Sequence, residues 1–172
     1  RLLTPAFGEP LEIEGVRVTM HPIPHDAAAP AAVVLEHIAS GRRVGVAHDL
    51  GRVPDALSPV FRDLDVAVIE ANHDVEMLRN GPYPMSLQRR VSGGQGHLSN
   101  AQAGAWIRDI AGPRLTHVVL AHLSETNNQP SLAVSTVRDA LRGSACRAQV
   151  LAAHQREAVA VGAPATSQLG LW

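Results

Sequence analysis

The residues with the clearest chemical potential sit where apolar runs stop. Val66-Ala67-Val68-Ile69 ends in Glu70-Ala71-Asn72-His73-Asp74, and Leu115 to Ala121 ends in His122-Leu123-Ser124. Between them lies Gly96-His97-Leu98-Ser99-Asn100, at the start of a helical pattern. Polar groups at the C-terminal ends of buried strands are where α/β proteins keep their chemistry. An imidazole in that position either ligates a metal or moves a proton near neutral pH. The chain has nine histidines, so each needs its own context. The single cysteine, Cys146, permits neither an internal disulfide nor a thiolate-rich zinc site.

Five segments recur as an ordered set: His25-Asp26-Ala27; Asp49-Leu50-Gly51; Glu70 to Asp74 with Gly81-Pro82-Tyr83-Pro84; Gly96 to Asn100; and Ala121 to Ser124 followed by Asn127-Asn128. The set resembles the metallo-β-lactamase-fold hydrolases and, within them, the YycJ/WalJ-like, DNA exonuclease-like branch. The resemblance runs from about Val16 to about Gln155. It implies an α/β fold, the αββα sandwich, of which this chain is the C-terminal part. The HxHxDH string that supplies most ligands of the first metal in that family is absent, and the chain opens at Arg1 without a Met. The expectation is therefore one domain portion over residues 1–172 of a longer protein, with 160–172 a weakly ordered tail. A naturally truncated relative is the alternative.

Carried over residue by residue, the resemblance implies two divalent metal ions, Zn²⁺ or Mn²⁺, at a site that this chain leaves incomplete. His25 matches a ligand of the first metal, Asp49 the bridging carboxylate and His122 a ligand of the second. His122 stands in Ala121-His122-Leu123-Ser124, which resembles the strand-end motif of ribonuclease Z. His and Asp donors without thiolate suit such cations. His73 resembles a proton donor to the leaving oxygen, with Glu70 or Asp74 expected to orient it and raise its pKa. His97 and Ser99 precede a helix start that can cradle a phosphate, with support of the 72–98 loop as the competing role. Arg79, Arg89 and Arg90 are the expected contacts to a nucleic-acid backbone. His48 stands where the family has a small residue, so it either competes for metal or borders the site. His21 is expected at the surface or near the site, His37, His117 and His154 as surface or packing residues, and Asn127 and Asn128 as turn residues.

The function implied is hydrolysis of phosphodiesters, with DNA ends as substrate. Bound metals lower the pKa of a water from about 15.7 towards about 7, and the hydroxide attacks phosphorus. The isolated 172 residues are expected to be inactive. One alternative is hydrolysis of a small ester, lactone or thioester, because a fold does not fix its substrate. Another is a non-catalytic nucleic-acid-binding or partner module.

Composition sets the outer bounds. The 172 residues suit one domain, and 45% apolar content supplies a core. No apolar run approaches the ~18 residues of a membrane span and no signal peptide is evident, so a cytoplasmic location is expected. The net charge of −1 carries no electrostatic footprint for nucleic acid. Every basic residue is Arg, which fits a GC-rich coding bias; the Arg89-Arg90 pair also fits bidentate phosphate binding. Two Trp, two Phe and one Tyr leave little for stacking unpaired bases. Oligomeric state is not legible.

The elements that must position these groups follow from periodicity. Two short strands flank Glu14-Gly15 within 11–20. Residues 32–38 and 43–47 form a hairpin, and 55–64 an amphipathic helix. Strands cover 66–69, 115–121 and 147–152, and short helices lie near 74–79 and 86–91. Ser99 with Gln102 forms a capping box for a helix that buries Ala103, Trp106, Ile107 and Ile110 and ends at Gly112-Pro113. Pro130 opens the last helix, with Ala133, Val137, Ala140 and Leu141 on its apolar face.

Overall fold

The computed structural model describes residues 5–162. Seven strands build one sheet: β1 (Leu11–Ile13), β2 (Val16–Pro22), β3 (Ala31–His37), β4 (Arg42–Ala47), β5 (Val66–Glu70), β6 (His117–Ala121) and β7 (Gln149–Ala152). Their order in space is their order in the chain. The pairings from β1 to β4 are antiparallel, and those from β4 to β7 are parallel. A parallel step requires a crossover, and helices supply each one. α1 (Leu57–Phe61) joins β4 to β5, and α5 (Pro130–Leu141) joins β6 to β7. Between β5 and β6 come α2 (Val75–Asn80), α3 (Met85–Val91) and α4 (Asn100–Ile110). The tight turn between β1 and β2 uses left-handed φ at Glu14 and Gly15, 48° and 81°, as a twisted two-residue hairpin demands.

Alternation along the strands separates two faces. Ala32, Val34, Ala47, Ala67, Ile69, Val118, Leu120 and Val150 are buried together with Phe61, Trp106, Ile107 and Val137 from the helices. Their neighbours Val18, Met20, Val33, Leu35, Val44, Val46, Val66 and Val68 point the other way and are only half-buried. The register aligns these in rows across β2 to β5, for example Val18, Leu35, Val44 and Val66. This is the face that a second sheet covers in an αββα sandwich.

Three boundaries differ from the sequence expectation. α1 keeps only five residues, without a side-chain N-cap, although Leu64 beyond it remains fully buried. β6 starts at His117 because the Leu115 N–H closes a turn onto Gly112 and the Thr116 N–H is taken by the Asp65 carbonyl. β7 starts at Gln149, whose N–H is donated to Thr116 O. Of the expected tail, residues 160–162 carry no helix or strand and 163–172 lie outside the described residues.

Asp65 pins the opposite edge of the sheet from the functional loops. Its Oδ2 accepts the Arg43 N–H at 2.7 Å and an Arg114 guanidinium N–H at 2.9 Å, while its carbonyl takes the Thr116 hydroxyl. Burial pushes the Asp65 carboxyl up, but the Arg43 N–H and Arg114 outweigh it, so its pKa lies below the ordinary carboxylate value. A depressed carboxylate pKa lends stability above the unfolded pKa, and that stability is lost as pH falls through the folded value. Asp65→Asn is therefore expected to lower stability at pH 7 by about 1–3 kcal/mol. Denaturant unfolding at several pH values checks this: the gap to wild type closes below about pH 4, and a gap independent of pH refutes the charge argument.

Candidate metal centre

Parallel strands that share an edge deliver their last residues to one place. Asp49 follows β4, Glu70 ends β5, His122 follows β6, and His25 follows β2, which runs parallel to β4 through β3. Asp49 and His122 take left-handed φ values of 56° and 55°. Such angles are uncommon for residues with a Cβ and concentrate at functional turns.

Asp49, Glu70, His97 and His122 each offer one ligand atom, and those atoms lie within 4.8 Å of one another. Glu70 is fully buried. Its Oε1 lies 3.1 Å from His122 Nδ1 and 2.7 Å from His97 Nδ1, and its Oε2 accepts the Leu50 N–H at 2.8 Å. The same two nitrogens lie 3.3 and 3.6 Å from Asp49 Oδ1. Burial raises the Glu70 pKa, but the hydrogen bond from His122, the close approach of His97 and the Leu50 N–H more than offset it, leaving it below the ordinary value. The hydrogen bond with Glu70 moves the His122 pKa up, against burial, and the charges of Glu70 and Asp49 add to the rise.

His97 Nδ1 is buried and its short approach to Glu70 is off the axis of a hydrogen bond. Imidazole nitrogens and carboxylate oxygens converging on one point fit a divalent cation, and the hard-oxygen and imidazole donors suit it chemically. His25 stands beside this group. Its Nδ1 lies 3.0 Å from the Gly96 carbonyl, which can only accept, so Nδ1 donates there, and Nε2 faces Asp26 Oδ1 at 3.3 Å and Asp49 Oδ1 at 3.9 Å. A backbone carbonyl fixing one ring nitrogen so that the other can ligate is a usual feature of metal-binding histidines. A cavity of about 340 Å³ is lined by His25, Asp49, His97 and His122, with Arg90 on its wall.

The loops carrying these groups are sewn together by close backbone approach and by asparagines. A Cβ on Gly96 would collide with the Arg90 and Val91 carbonyls, and one on Gly51 would collide with Gly94. The Gly51 N–H is donated to Pro24 O at 3.0 Å, tying the Asp49 loop to the His25 loop. Asn72 Nδ2 donates to the carbonyl of His122 at 3.0 Å. Asn100 and Asn128 exchange amide hydrogen bonds of 2.9 and 2.8 Å, and Asn128 Nδ2 also donates to the Ala71 carbonyl. Asn127 and Asn128, expected as turn residues, are buried.

Other expectations need correction. Neither Glu70 nor Asp74 orients His73: Glu70 holds His97 and His122, and Asp74 caps α2 through the Glu76 and Met77 N–H groups. His73 is 2% exposed and burial lowers its pKa, opposite to the expected rise. Ser99 is also buried, and its hydroxyl is spent in the α4 capping box with Gln102. His97 belongs with the carboxylates rather than on an open phosphate cradle. The three arginines divide: Arg90 pairs with Asp26 at 2.6 Å, whereas Arg79 and Arg89 border a separate cavity with His73. His48 borders the site, its Nδ1 3.2 Å from Asp49 Oδ2. His21 lies elsewhere, its Nε2 buried without a partner in a cavity with Arg17 and Val34. His37 and His117 bond Ser40 and Thr116, as ordinary structural residues do. His154 is exposed and lines a cavity of about 600 Å³ beside His122.

A family model described as a beta-lactamase superfamily domain matches residues 2–123. The chain belongs to the beta-lactamase superfamily. It is 36% identical over 135 residues to the exodeoxyribonuclease YycJ of Bacillus anthracis, covering 78% of this chain and 48% of that protein. It is 37% identical over 135 residues to the exodeoxyribonuclease WalJ of Streptococcus pneumoniae, covering 78% and 47%. The chain thus spans about half the length of the curated relatives it matches. Among solved structures, the metallo-beta-lactamase fold protein YhfI of Bacillus subtilis matches with a TM-score of 0.59 at 14% identity, covering 84% of this chain and 49% of that one. Zn²⁺-bound PqqB of Methylobacterium extorquens gives 0.61 at 19%, covering 88% and 50%. The metallo-beta-lactamase fold is therefore that of this superfamily member, with a candidate metal-binding group of two carboxylates and two histidines. No helix among the described residues is long and apolar enough to cross a membrane.

Asn128→Ala leaves the Ala71 carbonyl and the Asn100 amide without their buried partners. A loss of about 1–3 kcal/mol in unfolding free energy is expected, read by chemical denaturation. A loss below a few tenths would show that the pair does not hold these loops.

Proposed function

We propose that the chain forms the C-terminal part of a metal-dependent phosphodiesterase acting on DNA ends. The observation that carries this is the convergence of His97 and His122 on Glu70 Oε1 and Asp49 Oδ1 at the ends of β4, β5 and β6. The names of its relatives, exodeoxyribonucleases in two bacteria, support DNA as the substrate class.

Asp49, His122 and His25 would hold the divalent ions. Cations bound there supply Lewis acidity towards phosphoryl oxygens and an acidified water as nucleophile. The protein's own contribution is orientation and proton delivery. Asp49 presents two oxygens from a backbone turn fixed by its left-handed φ and by the Gly51–Pro24 hydrogen bond. His25 keeps its Nε2 turned inward because Gly96 O holds the Nδ1 proton.

His97 is the group best placed to protonate a leaving oxygen. A buried carboxylate 2.7 Å from one ring nitrogen is the orienting partner that a histidine acid needs. This is the role that the sequence pattern suggests for His73, transferred to the histidine that Glu70 contacts. Arg90, on the cavity wall and paired with Asp26, is positioned to meet a phosphate entering the site.

Asp49→Ala is expected to remove most of the bound metal, as elemental analysis of the purified intact protein will show; two tightly bound metals in that variant would exclude Asp49 as a ligand. His97→Ala is expected to retain metal and slow DNA cleavage by about 10²–10⁴-fold. The defect should shrink on a nitrophenyl phosphodiester, whose leaving group needs no proton. Loss of metal in His97→Ala would instead make His97 a ligand. His73→Ala should slow both substrates by the same factor.

A further inference from the structure

The cavity of about 480 Å³ beside His73 is separate from the metal-binding cavity, and its lining shares no residue with it. None of the residues lining it is acidic, in a chain whose net charge is −1; Asp74, beside it in the chain, is occupied in capping α2. It is bordered by two arginines, Arg79 and Arg89, whose guanidinium groups make no ion pair among the described residues. Arg90, one position on, is paired. At its base His73 is 98% buried, with an Nδ1 that has no hydrogen-bond partner. Its outer wall is apolar, from Val75 and Met85, which are 51% and 61% exposed. A buried polar atom without a protein partner, two guanidinium groups without an ion pair and an apolar wall together suit an anionic ligand with an apolar part.

We infer that this cavity binds the terminal phosphomonoester of a DNA strand, with the attached nucleoside against Val75 and Met85. The inference rests on the phosphodiesterase reading and adds what end the enzyme recognises. A terminal phosphate carries close to two negative charges and an internal diester carries one, so two unpaired arginines match the terminal group. A volume of this size lies in the range of small-ligand sites and suits one nucleotide. The loop that carries His73 is bonded directly to the loop that carries His97: the Asn100 N–H is donated to His73 O at 2.8 Å and the Asn72 N–H to Leu98 O at 2.9 Å. An end group held here is thus at a fixed offset from the metal-binding cavity, which turns a nuclease into one that works from ends.

The test is equilibrium binding of short duplexes to the intact protein, with phosphorothioate linkages to prevent cleavage and termini carrying either a phosphate or a hydroxyl. Wild type is expected to bind the phosphorylated end about tenfold more tightly, equivalent to about 1.4 kcal/mol. The Arg79→Gln/Arg89→Gln variant is expected to lose that preference while still binding the hydroxyl-ended duplex. Both side chains are exposed, so the fold is not at risk. A nucleoside monophosphate should compete for the preference at concentrations where inorganic phosphate does not. Equal affinity for the two ends in wild type, a preference that survives in the double variant, or equal competition by inorganic phosphate would each overturn the inference while leaving the hydrolase reading intact. Failure to bind either duplex would remove both.

Discussion

A carboxylate sealed from water at the end of the central parallel strand organises the whole functional edge. Glu70 is fully buried, and a buried ionised carboxylate is costly unless its oxygens are met by donors. Its neighbours come from three directions: the Leu50 N–H from the β4 side and the His122 ring from the β6 side as hydrogen-bond donors, and the His97 ring from the loop before α4 in close contact. Each fixes a different segment. Leu50 sets the turn that carries Asp49, His122 follows its own strand, and His97 closes the long connection between β5 and β6. Removing the charge would release three loops at once, because none of them has another buried anion to meet among the described residues.

Much of this arrangement is readable in the residue pattern. Apolar runs ending in Glu70 and His122, the Ser99–Gln102 capping box and Pro130 at a helix start all appear as the sequence suggests. Asp49, His25 and His122 are brought together, as the resemblance implies. What the pattern does not carry is direction. His73 and His97 each stand near acidic residues or a helix start in sequence, yet Glu70 selects His97 because the 96–98 loop folds back beside β5, with the Asn72 N–H on Leu98 O. Periodicity has no means of reporting a contact between residues 27 apart across an irregular segment. The asparagines were equally silent: an amide in a polar loop looks like a turn residue until it is found satisfying buried carbonyls.

That network explains how an irregular connection becomes a rigid platform. The chain between β5 and β6 contains short helices and few buried apolar side chains, Ala71, Leu78 and Leu98 before α4. It has little hydrophobic reason to hold one shape. Hydrogen bonds among Asn72, Asn100 and Asn128, with the carbonyls of Ala71 and His122, supply the specificity that packing does not. They also separate two compartments, one floored by carboxylates and one by His73 and unpaired arginines, while keeping them on a common frame.

The left-handed backbone at Asp49 and His122 has an evolutionary consequence. A residue with a Cβ in that conformation costs about 1–2 kcal/mol relative to glycine. Substitution by glycine at either place would relax the turn, so selection for stability alone would drift towards a firmer protein with an emptied site. Asp and His stand there instead, and their side chains meet 3.3 Å apart in the candidate metal-binding group. In homologous chains that have kept the fold but abandoned catalysis, glycine at these two positions is the first trace to look for.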